Sequence, residues 1–149
     1  MFSPDLLSII GVVLAAGGSS IGALFAIISV GTAMAGAGTE RPEILTRAIL
    51  PVVLGEALAI YGLLAAFMLV GALPSITTEE AAFKALGAGA TIAISTLAAG
   101  LGIAYCGSAM VGALAERPET FSSNVIPVVL AEAIGIYGLL ITFMLIGQL

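Results

Sequence analysis

The 149-residue sequence has no histidine, no tryptophan, one cysteine and only four basic residues, and each shortage removes a class of function. Without histidine, and with Cys106 alone in an apolar stretch of small residues, there is no Cys–His nucleophile pair, no intrachain disulfide and no metal cluster to assemble. Cys106 reads as a small buried residue. Four basic residues against nine acidic ones leave a net charge of −5 and no basic patch to neutralise phosphates, so nucleic acid is not an expected partner. Charge of either sign is scarce. Charged residues make up 9% of the chain and hydrophobic ones 60%, with a mean hydropathy of +1.24, far from the composition of a soluble domain. An integral membrane protein surrounded by lipid is expected. The opening Met1-Phe-Ser-Pro-Asp5 lacks the basic region of a signal peptide, so the apolar run after it is expected to be a retained transmembrane helix.

Four apolar stretches are present, at about 7–36, 45–73, 81–113 and 125–147, each long enough to cross roughly 30 Å of hydrocarbon. Backbone groups in lipid must pair within their own segment, and the runs lack the period-two alternation of a membrane barrel, so all four are expected to be helices. The breaks are short: Thr39-Glu40-Arg41-Pro42-Glu43, residues 74–80, and Glu116-Arg117-Pro118-Glu119. Short connections join antiparallel neighbours, giving an all-α transmembrane protein of two helical hairpins, 1–76 and 77–149.

The hairpins are copies of one another. An offset of 76 carries Gly31 to Gly107, Met34 to Met110, Glu40-Arg41-Pro42-Glu43 to Glu116-Arg117-Pro118-Glu119, Pro51 to Pro127, Glu56 to Glu132 and Tyr61 to Tyr137 without a gap. This is a parallel tandem repeat, unlike the inverted repeats of many secondary transporters. Arg41, Arg47 and Arg117 lie at the two Arg-Pro-Glu loops, whereas Lys84 on the other side has Asp5, Glu79 and Glu80 around it. The positive-inside rule puts the Arg-Pro-Glu loops in the cytoplasm and both termini outside. The first and third helices are rich in glycine, the first with Gly11, Gly17, Gly18, Gly22, Gly31 and Gly36 and the third with Gly87, Gly89, Gly100, Gly102, Gly107 and Gly112. Small faces allow close backbone approach and suit an inner layer of packed helices.

Two carboxyls stand out. Glu56 and Glu132 sit in the middle of their spans, and the nearest basic residue in sequence to Glu56, Arg47, is some 13 Å away along the helix axis. Their same-face neighbours are apolar, among them Val52, Ile60 and Leu63 for Glu56 and Val128, Ile136 and Leu139 for Glu132. Desolvation disfavours the ionised form, so each acid is expected to be protonated or cation-paired wherever it faces lipid or protein. An ion carrier has this property: neutral while crossing the apolar medium, charged at a docking site. A protonated glutamate that merely staples two helices is the plainer alternative, and the duplication of the acid argues against it. Pro51 and Pro127 each remove a helical hydrogen bond, to Arg47 and Ser123, and are expected to bend the outer helix just before the acid. Tyr61 and Tyr137, five residues beyond the acids, can reach a carboxyl or ligate an ion.

The duplicated hairpins, the glycine-rich first and third helices, the Arg-Pro-Glu loops and the paired Pro-Val-Val-Leu-x-Glu-Ala and Ile-Tyr-Gly-Leu-Leu stretches resemble the proteolipid ring subunits of V-type and archaeal A-type rotary ATPases. The resemblance covers nearly the whole chain. It implies a homo-oligomeric ring with helices one and three inside and two and four outside, and no catalytic site of its own. It also implies Glu56 and Glu132 as ion-carrying carboxylates, a stator subunit that supplies a basic residue, and a central stalk facing the loops at 39–43 and 115–119. Four-helix eukaryotic relatives usually keep only the second acid. Two acids per subunit raise the ion-to-ATP ratio for the same number of subunits, which points to an archaeal or bacterial cell membrane and an enzyme able to synthesise ATP.

The transported ion is expected to be H+. A sodium site needs several oxygen ligands. Sodium-carrying relatives commonly offer a glutamine from a neighbouring helix and a hydroxyl directly after the acid, whereas here Ala57 and Ala133 follow the acids and the only amides, Asn124 and Gln148, lie toward span ends. Ser29, Thr32 and Ser108 remain as possible hydroxyl support for Na+. No other cofactor is expected. A small four-helix proton-coupled antiporter is the competing class; it predicts an aromatic pocket, for which the chain has no tryptophan.

Overall fold

The computed structural model describes residues 3–149, and within them the chain is helical with no strand. Helix α1 runs Pro4–Glu40, α2 Leu50–Ala72, α3 Glu79–Glu116 and α4 Phe121–Ile146; a short helical turn, Leu45–Ala48, precedes α2. All four transmembrane segments are long and apolar enough to cross a membrane. At 37 and 38 residues, α1 and α3 reach about 55 Å, well beyond a 30 Å hydrocarbon core, so their ends stand out of the bilayer.

Local chemistry sets the ends. Ser3 accepts from the Leu6 N–H at 3.3 Å and Pro4 occupies the first turn of α1; Thr78 caps α3 in the same way, accepting from the Ala81 N–H at 3.2 Å. Asp5, Glu79 and Glu80 place negative charge on these N-terminal turns. Both long helices stop at an Arg-Pro step. Proline disfavours helical backbone in the residue before it, and Arg41 and Arg117 turn out to φ −133° and −140°, each still donating its N–H to the carbonyl four residues back.

The hairpins meet through α1 and α3. A Cβ added to Gly11 or Gly22 would strike the backbone at Ala85 or Thr96, and one added to Gly89 or Gly100 would strike Gly11 or Gly22 in return. The 11-residue spacing on both helices keeps the same faces together over three turns. Between these glycine contacts the Thr96 hydroxyl donates to Ser19 Oγ at 2.9 Å, both residues buried. The outer helices lie each on its own partner, with Gly62 against Ser19 and Gly138 against Ser95, repeat-equivalent contacts. At Gly55–Ala26 and Gly102–Ala131 the glycine changes sides, so the same close approach is kept with the methyl on the opposite helix.

Candidate functional site

The two acids, equivalent in sequence, occupy unlike places. Glu132 on α4 is buried, 7% exposed, where α4 passes α2 of the first hairpin. The Tyr61 hydroxyl on α2 donates to its Oε1. Beside it, a Cβ on Gly135 would meet Leu58, Ala99 and the Tyr61 ring, so the hairpin interface closes the site around the carboxyl. Glu56 is exposed. It lines an open groove of about 270 Å³ with Ala16, Ser20, Ala59, Ile60 and Leu63, and among the described residues nothing bonds its carboxyl.

Tyr61 therefore serves the acid of the other hairpin, 71 residues on, rather than Glu56 on its own helix. Five residues separate the Tyr from the Glu on its own helix, which puts them on diverging faces, and the sequence pattern carries no signal for the cross-hairpin pairing. Tyr137 stands 65% exposed and has no hydrogen-bond partner among the described residues of the single chain.

The prolines differ too. At Pro51 the outer helix is interrupted: Leu45–Ala48 ends, Ile49 accepts from the N–H groups of both Val52 and Val53, and α2 resumes, with Pro51 buried against the Gly107 position. Pro127 is exposed and lies inside the continuous α4.

The structure does not bring Ser29, Thr32 or Ser108 to either carboxyl. Thr32 and Ser108 bond back to the Ile28 and Ala104 carbonyls of their own helices, the usual resting place of a helical hydroxyl, and Ser29 and Ser108 share a separate groove with Phe25 and Tyr105. Besides Tyr61, the hydroxyl that shares a groove with an acid is Ser20, beside Glu56; it too donates to its own helix, at the Ala16 carbonyl, and its repeat partner Thr96 is buried in the α1–α3 contact.

The Arg-Pro-Glu loops lie together at one end. Arg47 donates to the Pro118 carbonyl at 3.2 Å and its guanidinium stands 5.9 Å from the centre of the Phe121 ring, tying the first loop region to the second. Arg41 and Glu43 form an exposed pair at 3.8 Å, while Glu40, Glu116, Arg117 and Glu119 are exposed.

Residues 10–69 and 86–145 each match the ATP synthase C-subunit family, two copies separated by the same 76 residues as the internal repeat. The chain is 35% identical over 127 residues to the 16 kDa proteolipid of the V-type proton ATPase from Rattus norvegicus, covering 85% of this chain and 82% of the relative. It is 32% identical over 148 residues to the 16 kDa proteolipid of the V-type proton ATPase from Nephrops norvegicus, covering 97% and 92%. Against the V-type proton ATPase c-subunit of Candida tropicalis it is 34% identical, covering 85% and 86%. These relatives are eukaryotic and give no support to an archaeal or bacterial source. Two family repeats, each a glycine-rich helix followed by an outer helix with one mid-span acid, make this chain a duplicated-hairpin member of the ATP synthase C-subunit family.

Proposed function

We propose that the chain is an ion-translocating subunit of a rotor ring in a V-type ATPase or ATP synthase, with Glu132 and Glu56 as reversible carriers of H+. The observation that supports it most is one mid-span carboxyl in each family repeat, with no basic side chain beside it among the described residues. An acid in such a place stays neutral until an outside cation reaches it. In this reading a basic residue of a separate stator subunit draws off the proton, and the reloaded acid then passes through lipid as the ring turns. The subunit performs no ATP chemistry itself. The Arg-Pro-Glu end faces the cytoplasm, by its excess of Arg41, Arg47 and Arg117, and docks the central stalk.

The ligand set favours H+ over Na+. Around Glu132 the side-chain partner is the single Tyr61 hydroxyl, whereas a hard cation requires a shell of oxygens. Carbodiimide labelling of the intact complex across pH, with and without sodium, tests the reading. The reagent attacks neutral carboxyls, so both acids should label, with labelling falling as pH rises and unaffected by sodium. Protection by sodium but not potassium would reassign the ion, and absence of labelling at both acids would remove the carrier role.

A further inference from the structure

A neutral carboxyl in an apolar span has a need of its own. Its O–H is a donor, and a donor left unpaired away from water costs about 1–3 kcal/mol. In the groove at Glu56 the other lining residues of α2, Ala59, Ile60 and Leu63, have no polar side-chain atom, and neither does Ala16 of α1. Ser20 of α1 does. Its single hydrogen is already engaged, donated to the Ala16 carbonyl at 2.7 Å, so what its oxygen offers the groove is lone pairs. Ser20 is thus the side-chain acceptor in that groove.

Glu132 is served the other way round. The Tyr61 hydroxyl donates to its Oε1, while Thr96, the repeat counterpart of Ser20, is buried between α1 and α3 and bonded there to Ser19 and to the Ile92 carbonyl. A bond donated to a carboxyl favours its charged form; a bond accepted from it favours the neutral one. No other titratable side chain lines the Glu56 groove. Tyr61 turns to Glu132 at the contact with α4, and the charged residues of the inner helices, Asp5 and Glu40 on α1 and Glu79, Glu80, Lys84 and Glu116 on α3, sit in or next to the end turns.

We propose that Ser20 is a positioning residue for proton loading at Glu56: its oxygen accepts the hydroxyl of the neutral acid, directly or across one water molecule. A groove of about 270 Å³ with two polar partners has room for that water. The two sites of one chain then differ in kind. At Glu132 a side chain gives a hydrogen to the carboxyl, at Glu56 a side chain takes one from it, so the acids load unequally at a given pH. The inference rests on the carrier reading, and adds to it a named acceptor at one acid.

Carbodiimide labelling of the assembled complex in membranes, mapped separately to each acid across pH, tests it. Ser20→Ala should slow labelling of Glu56 by about threefold or more at a fixed pH and move its pH profile by about half a unit or more, while Glu132 keeps its rate and profile. Ser20→Thr keeps the oxygen and should restore the unsubstituted behaviour. Ser20 is exposed and alanine is the best helix former, so the first variant is expected to fold, and Glu132 in the same chains reports whether it has. The inference is overturned if Ser20→Ala leaves the Glu56 profile in place, if Glu132 changes as much as Glu56, or if Ser20→Thr slows labelling as far as Ser20→Ala does. Any of these results with both acids still labelling leaves the carrier function standing; absence of labelling at both acids in the unsubstituted complex would sink that function and this inference with it.

Discussion

Glu132 and Glu56 share a local sequence and the packing of their helices on their own hairpin partners, yet differ in what closes over the carboxyl. Around Glu132 the first hairpin supplies a hydroxyl and a leucine, and its own inner helix an alanine; around Glu56 the single chain supplies a groove open on one side. The difference is positional. Among the described residues the first hairpin packs over Glu132, whereas nothing closes the groove at Glu56. Burial of Glu132 is thus no evidence that it is the more important acid.

The largest test of that equivalence is removal of the carboxyls. On the proposed carrier role, Glu132→Gln and Glu56→Gln are each expected to lower ion-coupled transport by more than about tenfold, because a side chain that cannot ionise could not exchange its ion at a stator. Transport that survives Glu56→Gln but not Glu132→Gln would show that only the enclosed site works.

Next come the glycines. Gly107→Ala puts a methyl 2.7 Å from both Pro51 and Val30 and should cost about 1–3 kcal/mol in thermal unfolding of the solubilised protein. Gly31→Ala meets nothing within the chain, so the isolated subunit should be unchanged or gain up to about 1 kcal/mol from helix propensity. Equal effects on the isolated subunit would break the contrast between filled and open faces.

Tyr61→Phe removes one hydrogen bond to a buried carboxyl and should destabilise the solubilised subunit by about 1–2 kcal/mol, whereas Tyr137→Phe should leave it within about 0.5 kcal/mol, both read from denaturation midpoints. The smallest effect is expected at Arg47→Ala, about 0.5–1 kcal/mol, since its bond to the Pro118 carbonyl and its stacking on Phe121 are exposed; Ser123→Ala, at the repeat-equivalent position, should be near neutral.

Much was determined by the sequence alone. Four spans follow from apolar length, their ends from Ser3, Thr78 and the Arg-Pro steps, and the twofold architecture from an unbroken offset, because these are local properties of the chain and lipid admits few folds for it. The acids were legible for the same reason: a mid-span carboxyl conflicts with its surroundings whatever it packs on. What only the tertiary structure decided is which groups meet each carboxyl. Tyr61 lies five residues from Glu56 but bonds Glu132, and Pro51 and Pro127 share a motif but not a helix geometry or an exposure. The hydroxyls at Ser29, Thr32 and Ser108, chosen from composition, turn away from both acids, while Ser20 lies beside one. Periodicity specifies a face of a helix; the partner of that face is set by the rotation at which α1 and α3 interlock through Gly11, Gly22, Gly89 and Gly100, and that depends on both helices at once.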